Sequence, residues 1–426
     1  MLDTVVSLLK EANVCAWEVS EVRTEGWEFY FIRHRLDQNR VRQVTHLTVR
    51  VYQLTGDGAW LGSAAGEVPP TADKEETRRL ISELSSRAAL VRNRPYTLHR
   101  PRKAGQCGEQ HRDPAEIAET FILTMQKLPE TVSEDINSYE IFVADKTRRL
   151  ITSEGIDVTE TYPDSMIEVV VNARKDGREI ELYRNYCGGT CDTEGLRRDL
   201  LRSLRYGRDR LSTVPTPKLG AADVLFSTAD AVNIYQYFAD RLNTSLIYRK
   251  LSDWKIGEPI CTDFRGDRLN LSAVSELPNS SRNRIFDAEG AVIRDTPLLE
   301  NGIARNYLGA RMFSYYLGLE DAFIPSNYAV SGGSHSADGL RERAGLEVVE
   351  FSDFQVDSMT GDLFGEIRLA YWRDGERLVP VSGGSISGSM LDLAGTMLLS
   401  AETVQYNNWT VPEATLLRGV TVTGVK

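Results

Sequence analysis

The chain has 426 residues and a formal net charge of −11, from 50 basic and 61 acidic side chains. An acidic protein is a poor general nucleic-acid binder, because neutralising phosphates requires a basic surface. The length allows two or three domains, and 41% apolar with 26% charged residues is typical of a globular protein. The sequence contains no run of about 18 apolar residues, so no membrane span is expected. Its first residues lack the basic region of a secretory signal, and a cytoplasmic location is expected.

The first half of the chain predicts an N-terminal α+β domain over residues 1–211. Alternating apolar and β-branched residues predict antiparallel strands at 16–23, 27–34, 44–54, 138–145, 149–152, 157–162, 166–173 and 180–186. Turn residues are found at 24–26, 37–39 and 55–58. Helical spacing at 71–94, after Pro114 and at 193–207 adds two to three helices, and residues 2–13 add a short amphipathic helical segment. Asp113 and Pro114 are natural N-cap and first-turn residues.

The second half predicts a β-rich C-terminal domain over residues 218–426, after a Ser/Thr/Pro linker at 212–217. A strand at 224–227 precedes a helix at 229–242, and Asn301-Gly302 predicts a tight hairpin because both residues tolerate φ > 0. Long strands are predicted at 346–357 and 363–372, with a further strand at 377–381. The predicted fold is α+β with two domains, the second a strand-rich antiparallel sheet or barrel-like domain with helices.

Several stretches resemble the TldD/TldE family, whose members are also called PmbA or modulator of DNA gyrase proteins. The matching residues in the segment around the hairpin are Asp287, Glu289, Gly290, Leu299, Glu300, Asn301, Gly302, Ala310, Arg311, Leu317 and Gly318. A second stretch matches at Ser153, Glu154, Gly155, Asp157 and Val158, and others lie at 360–365, 380–393 and 416–424. Because the stretches keep the family's order along nearly the whole chain, the sequence is identified as a member of this family.

The resemblance also shows what this chain lacks. In TldD-type members an HExxxH motif on the helix after the domain linker, together with a cysteine near the C-terminus, holds zinc. Here the corresponding helix carries Asp230, Asn233 and Tyr237 and no histidine, and the last cysteine is Cys261. No HExxH or HExxxH occurs anywhere in the chain. We therefore expect no metal, no cofactor and no catalytic residue, as in the zinc-less TldE/PmbA branch.

Other nucleophile or metal patterns are weaker. Cys187 and Cys191 enclose Gly-Gly-Thr, a spacing seen in zinc sites, but no second Cys or His pair follows. Ser385 lies in GGSIS, which lacks the second glycine of a nucleophile elbow. The arginines at 197–210 are interpreted as the solvated side of a helix, with a docking surface for an acidic partner as the alternative.

Two Gly-containing segments are candidate peptide-binding sites, because exposed backbone donors can pair with an extended peptide. They comprise Ser331, Gly332, Gly333, Ser334, His335, Thr360, Gly361 and Asp362.

The resemblance implies that this chain is not an enzyme by itself but the partner of a TldD-type zinc protease subunit that degrades or trims unfolded peptides. The alternatives are a homodimeric peptide-binding or scaffold protein, and an enzyme with non-metal chemistry.

Overall fold

The computed structural model of the protein describes residues 1–102 and 111–425. Its first half contains helices α1 (Leu2–Glu11), α2 (Lys74–Ala88), α3 (Pro114–Gln126) and α4 (Thr193–Arg210). The strands are β1 (Ala16–Ile32), β2 (Arg35–Thr55), β3 (Trp60–Glu67), β4 (Glu134–Thr152), β5 (Asp157–Lys175) and β6 (Arg178–Gly188). All six form one antiparallel sheet in the order β3-β2-β1-β4-β5-β6. In the described residues these four helices lie where the sequence predicted the short amphipathic segment at 2–13 and the two to three further helices.

The strands of this sheet are longer than predicted, because two expected turns are absent. Residues 24–26 lie inside β1, where Gly26 pairs with Arg42 on one side and Ala144 on the other. Residues 37–39 belong to β2, and the chain instead reverses at Arg33 and His34, which have φ of 45° and 60°. Two adjacent residues with positive φ make a tight hairpin whose twist suits the flanking strands. Neither residue is a common turn former, so the residue types at these positions did not predict the hairpin.

Gly26 is required by a close approach between strands. A Cβ at this position would lie 2.1 Å from the carbonyl oxygen of Val143 and 2.8 Å from Cα of Ala144. We expect Gly26→Ala to lower the free energy of unfolding by about 2 kcal/mol, because backbone atoms of β4 would have to move. Urea denaturation measures the loss. Gly345→Ala is the control, since its Cβ would meet only one atom, at an ordinary 3.6 Å. Equal effects of the two substitutions would contradict the prediction.

Two other predicted interruptions are absent. Strand β4 runs unbroken from residue 134 to 152, and β5 continues through Pro163. Proline has no backbone N–H. In a central strand, which has a neighbour on both sides, every N–H faces a neighbouring strand and is expected to donate a hydrogen bond to it. Pro163 is tolerated because the β5–β6 pairing begins only at Ser165, so among the described strands β4 alone pairs with β5 at this point.

The helices cover the sheet in two groups. Helices α1 and α2 pack on β1 and β2, where Leu9, Leu84 and Val49 are almost fully buried. Helices α3 and α4 pack on β4 and β5, and this cluster includes Val349 and Leu369 from the second half of the chain. The predicted start of α3 is confirmed, since the Asp113 carboxylate accepts the N–H of Ala115 and Pro114 is the first helical residue.

The second half contains helices α5 (Val232–Arg241), α6 (Thr244–Tyr248), α7 (Arg311–Tyr316), α8 (Ala337–Arg343) and α9 (Met390–Leu393). Its strands are β7 (Val214–Pro215), β8 (Gly220–Phe226), β9 (Leu271–Val274), β10 (Thr296–Glu300), β11 (Ile303–Ala304), β12 (Asn327–Val330) and β13 (Leu346–Val356). They continue with β14 (Asp362–Asp374), β15 (Arg377–Ser382), β16 (Ser385–Ser389), β17 (Leu398–Leu399), β18 (Thr403–Tyr406), β19 (Trp409–Pro412) and β20 (Thr415–Thr423).

Five of these strands close into a barrel. They pair in the order β13-β8-β20-β16-β14, and β14 pairs back onto β13. A closed barrel leaves these strands no free edge. The predicted α+β fold with a barrel-like C-terminal part is therefore confirmed.

A separate six-stranded sheet has the order β11-β10-β9-β12-β19-β18. The hairpin predicted at Asn301-Gly302 joins β10 to β11, with φ of 52° and 72° at the two residues. Helix α7 follows as predicted, and Gly318 just beyond it has φ 73°. Within the described residues, no helix is long and apolar enough to cross a membrane.

Candidate functional site

Helix α5 occupies the position where TldD-type proteins are expected to carry their zinc motif. A 3-10 turn, Ala229–Ala231, leads into it. The structure places the three predicted residues of this helix in different surroundings. Asp230 accepts a hydrogen bond from the Thr228 hydroxyl, and the Asn233 side-chain amide donates to the Phe354 carbonyl oxygen at 3.1 Å. Tyr237 is 1% exposed and packs edge-on against Phe238 and Trp254.

This donor set does not fit zinc. Zinc in proteins is held by imidazole, thiolate and carboxylate groups in a tetrahedral arrangement. The predicted donors are the Asp230 carboxylate in the turn before α5 and, on α5, the Asn233 amide and the Tyr237 phenol. The amide nitrogen of Asn233 is already hydrogen-bonded to the barrel strand β13. Helix α5 is therefore held in place by packing and hydrogen bonds with the barrel.

Asp230 opens onto a cavity of about 330 Å³ between the first sheet and the barrel. Strand β6, helix α4, the turn before α5, strand β13 and Tyr406 of β18 form its walls. Arg184 on β6 and Glu350 on β13 face each other there in a bidentate ion pair, with N–O distances of 2.6 and 3.0 Å. This pair links the two halves of the chain.

The electrostatics of this cavity follow from its burial. Burial raises the pKa of Asp230 and of Asp199. Burial by itself lowers the pKa of Arg184, but the hydrogen bonds and charge of Glu350 outweigh it and raise the pKa overall. The hydroxyl of Tyr186 is buried without a hydrogen-bond partner among the described residues. The cavity thus offers charges of both signs and a free hydroxyl, which suit a polar ligand such as a peptide segment.

Sequence reasoning named Asp230 as part of the helix that replaces the metal motif, and it did not predict this cavity. Arg184 and Glu350 are 166 positions apart, and the sequence contained no local pattern that connected them. The Arg-rich helix was predicted to have solvated arginines or a docking surface. One of these arginines, Arg202, lines the cavity, and its Nη2 atom lies 3.6 Å from Oε1 of Glu413.

The predicted segment 360–362 covers the end of the turn between β13 and β14 and the first residue of β14. The Asp357 carboxylate accepts the N–H of Thr360 at 2.7 Å, and Gly361 has φ 80°. A Cβ on Gly361 would lie 3.4 Å from the hydroxyl oxygen of Tyr237. The structure therefore brings this turn next to one of the three α5 residues.

The predicted segment 331–335 lies against a different part of the fold. The N–H of Gly333 donates to the Ser400 carbonyl at 2.8 Å, and the His335 carbonyl accepts the N–H of Ala401 at 2.6 Å. Ser334 hydrogen-bonds Asp267. These backbone groups already have hydrogen-bond partners within the chain. Peptide binding by residues 331–335 stays a prediction, and it would require hydrogen bonds to the peptide to replace these internal ones.

Three of the cysteines have thiols whose pKa is raised by burial, and Ser385 lies within a strand. Burial raises the pKa of Cys187 and Cys261, and it raises that of Cys191 to about 11, so these thiols stay protonated near neutral pH. Ser385 lies in β16, paired with Glu366 and Thr423. Cys107 lies outside the described residues.

Comparison with known proteins identifies the C-terminal half. Residues 219–424 match the family described as the PmbA/TldA metallopeptidase C-terminal domain. A protein named Metalloprotease from Methanothermobacter thermautotrophicus is 26% identical over 268 residues, covering 57% of this chain and 57% of that protein. A protein named Metalloprotease PmbA homolog from Haemophilus influenzae is 26% identical over 222 residues, covering 48% of this chain and 45% of that protein. The matched regions span about half the length of these relatives.

The whole chain also has a known fold. The crystal structure of TldE from Thermococcus kodakarensis superposes with a TM-score of 0.78 and 15% identity, covering 100% of both chains. This likeness extends the shared architecture to the first sheet as well as the barrel. Residues 219–424 therefore match the PmbA/TldA metallopeptidase C-terminal domain, and the chain is similar in sequence to two proteins named as metalloproteases, one of them a PmbA homolog.

Proposed function

We propose that this chain is the zinc-less, TldE/PmbA-like subunit of a TldD/TldE-type metalloprotease that degrades or trims unfolded peptides in the cytoplasm. The observation that carries this proposal is the donor set of α5, where Asn233 bonds to β13 and Tyr237 is buried in the core. A TldD-type partner would supply the zinc and the general base, and this chain would supply peptide contacts and a docking surface.

The cavity at Asp230 supports a role in peptide contact. Among the described strands, β18 pairs only with β19, so it is an edge of its sheet, and its last residue, Tyr406, lines the cavity. An edge strand can accept an extended peptide through main-chain hydrogen bonds that are independent of side-chain sequence. In this proposal a peptide adds to β18 and reaches the polar groups around Arg184 and Asp230.

The test combines this chain with a TldD-type protein of the same organism that carries HExxxH. We expect the two to form a complex in light scattering and to cleave an unfolded protein such as casein, whereas this chain alone leaves casein intact. In the control, the motif glutamate of the partner is replaced by Gln, which removes the general base while keeping the zinc ligands. The mixture with this partner should be inactive.

Two outcomes would overturn the proposal. Cleavage by this chain alone, in metal-free buffer, would indicate non-metal chemistry of its own. A stable homodimer that does not bind the TldD-type partner and does not change the partner's activity would instead support a stand-alone peptide-binding or scaffold protein.

A further inference from the structure

A second polar site lies between the two halves of the chain, away from α5. His99 belongs to the segment that follows α2, and Asp287 and Glu289 belong to the turn before β10. One potential ligand atom from each side chain lies within 4.8 Å of the other two. Within residues 1–102 and 111–425, no other group of three His, Cys, Asp or Glu side chains meets this distance.

The two carboxylates are held in place by backbone groups. Oδ1 of Asp287 accepts the N–H groups of Glu289 and Ala291 at 2.8 and 2.9 Å, and Oδ2 accepts that of Ile324 at 2.8 Å. Oε2 of Glu289 accepts the N–H of Arg311 at 2.7 Å. Asp287 is only 3% exposed. Both oxygen donors are therefore oriented before any ligand arrives, which lowers the entropic cost of binding.

His99 supplies the third donor. Its Nε2 is buried and has no hydrogen-bond partner in the part of the chain that the structure describes. A buried polar atom without a partner is unfavourable unless something binds it. Burial, together with the charges of Arg311 and Arg102, lowers the pKa of His99 to about 4, so the ring is neutral and has a free lone pair.

Nearby arginines have other partners. Arg148 pairs with Glu160 at 2.6 Å and donates to the carbonyl oxygens of Phe286 and Asp287. The Arg311 guanidinium donates to the carbonyl and hydroxyl oxygens of Thr97 at 2.7 and 2.9 Å. Arg50 lies 3.8 Å from Glu18, a further buried carboxyl near the group. Among the described residues, none of these guanidinium groups forms an ion pair with the carboxylate of Asp287 or Glu289, so a divalent ion could bind both carboxylates directly.

We propose that His99, Asp287 and Glu289 bind a divalent transition-metal ion, Zn²⁺ or Mn²⁺. One imidazole and two carboxylates suit these ions better than Mg²⁺ or Ca²⁺, which prefer all-oxygen sites, or Cu⁺, which prefers sulfur. The ion would tie the segment around His99 to the turn at 287–291. That segment already contacts the second half of the chain, since Tyr316 and Arg311 hydrogen-bond to Arg94 and Thr97. The role of this ion would therefore be structural. The proposal does not depend on whether the chain is the partner of a zinc protease.

The experiment is isothermal titration of the full, metal-stripped chain with ZnCl₂ and with MnCl₂, and MgCl₂ as a comparison. We expect one Zn²⁺ or Mn²⁺ per chain, with Mg²⁺ weaker. His99→Ala and Glu289→Gln should each weaken binding by at least about tenfold. Asp287 is left unchanged because its three backbone hydrogen bonds support the turn. Visible absorption of the Co²⁺ form reports ligand geometry and should change in the same two variants.

His46→Ala is the matched control, since His46 lies beside a carboxylate, Glu67, at 2.6 Å but is outside the group. It should bind like the unmodified chain, and circular dichroism verifies that all variants are folded. Absence of Zn²⁺ and Mn²⁺ binding to the unmodified chain would overturn the proposal by itself. Unchanged affinity in both His99→Ala and Glu289→Gln, or an equal loss in His46→Ala, would also overturn it.

Discussion

Replacing Arg184 by Met is expected to lower the free energy of unfolding by about 3 kcal/mol, because it leaves the Glu350 carboxylate without its partner at a buried position. The side chains of Arg184 and Glu350 are only 19% and 11% exposed. Both guanidinium hydrogen bonds to the carboxylate would be lost. Since this pair joins β6 to β13, the loss should also weaken the association between the first sheet and the barrel.

Urea denaturation of three variants tests this prediction. The double variant Arg184→Met, Glu350→Met should recover most of the loss, because removing both charges removes the desolvation penalty as well. The control is Arg149→Met, which breaks an equally bidentate pair with Asp157, with both distances 2.9 Å. That pair is 37% and 52% exposed, so its loss should cost less than about 1 kcal/mol. A double variant no more stable than Arg184→Met would contradict the explanation.

The second large effect concerns Glu18, a buried carboxyl near the start of β1. Burial raises its pKa to about 7, with Arg50 opposing the rise and Glu289 and Asp287 adding to it. In the unfolded chain a glutamate has a pKa of about 4.3. Between these values the native state holds a proton that the unfolded state has lost, so stability falls as pH rises. From about pH 4.5 to about pH 8 the loss amounts to about 3 kcal/mol.

Glu18→Gln should remove this dependence, because Gln resembles the protonated carboxyl and does not ionise. We expect the variant to be similar to the unmodified protein at low pH and more stable by about 3 kcal/mol near pH 8. Urea denaturation at a series of pH values measures the difference. EDTA in the buffer prevents metal at the His99 group from contributing. A stability difference that stays constant across this pH range would show that Glu18 titrates normally.

Local sequence patterns predicted several elements of the second half of the chain well. Asn301-Gly302 fixed the β10–β11 hairpin because few other residue pairs adopt its two positive φ values. The strands β13 and β14 were located within one or two residues, since glycine and aspartate bound them. Such signals depend only on the backbone preferences of adjacent residues. They do not reveal that β14 pairs back onto β13 to close a barrel, because closure depends on the register of five strands.

Where local signals failed, a neighbouring strand explains the failure. Gly26 is a residue type that is typical of turns. Here it lies inside a strand, and its lack of a Cβ allows Val143 of β4 to approach closely. Pro163 breaks a strand by local rules, yet it lies where β5 lacks its second neighbour. Glycine and proline can each occur either in a turn or within a strand. Only the neighbouring strands of the sheet decide between these two structures.

The sequence by itself determined the resemblance to the TldD/TldE family, the α+β class and the absence of the HExxxH motif, because these depend on which residues occur and in what order. Only the tertiary structure decided which side chains share a site. Arg184 meets Glu350 across 166 positions, and His99 meets Asp287 across 188. Contacts at such separations are set by sheet register and by packing between the two halves of the chain, and no local pattern encodes them.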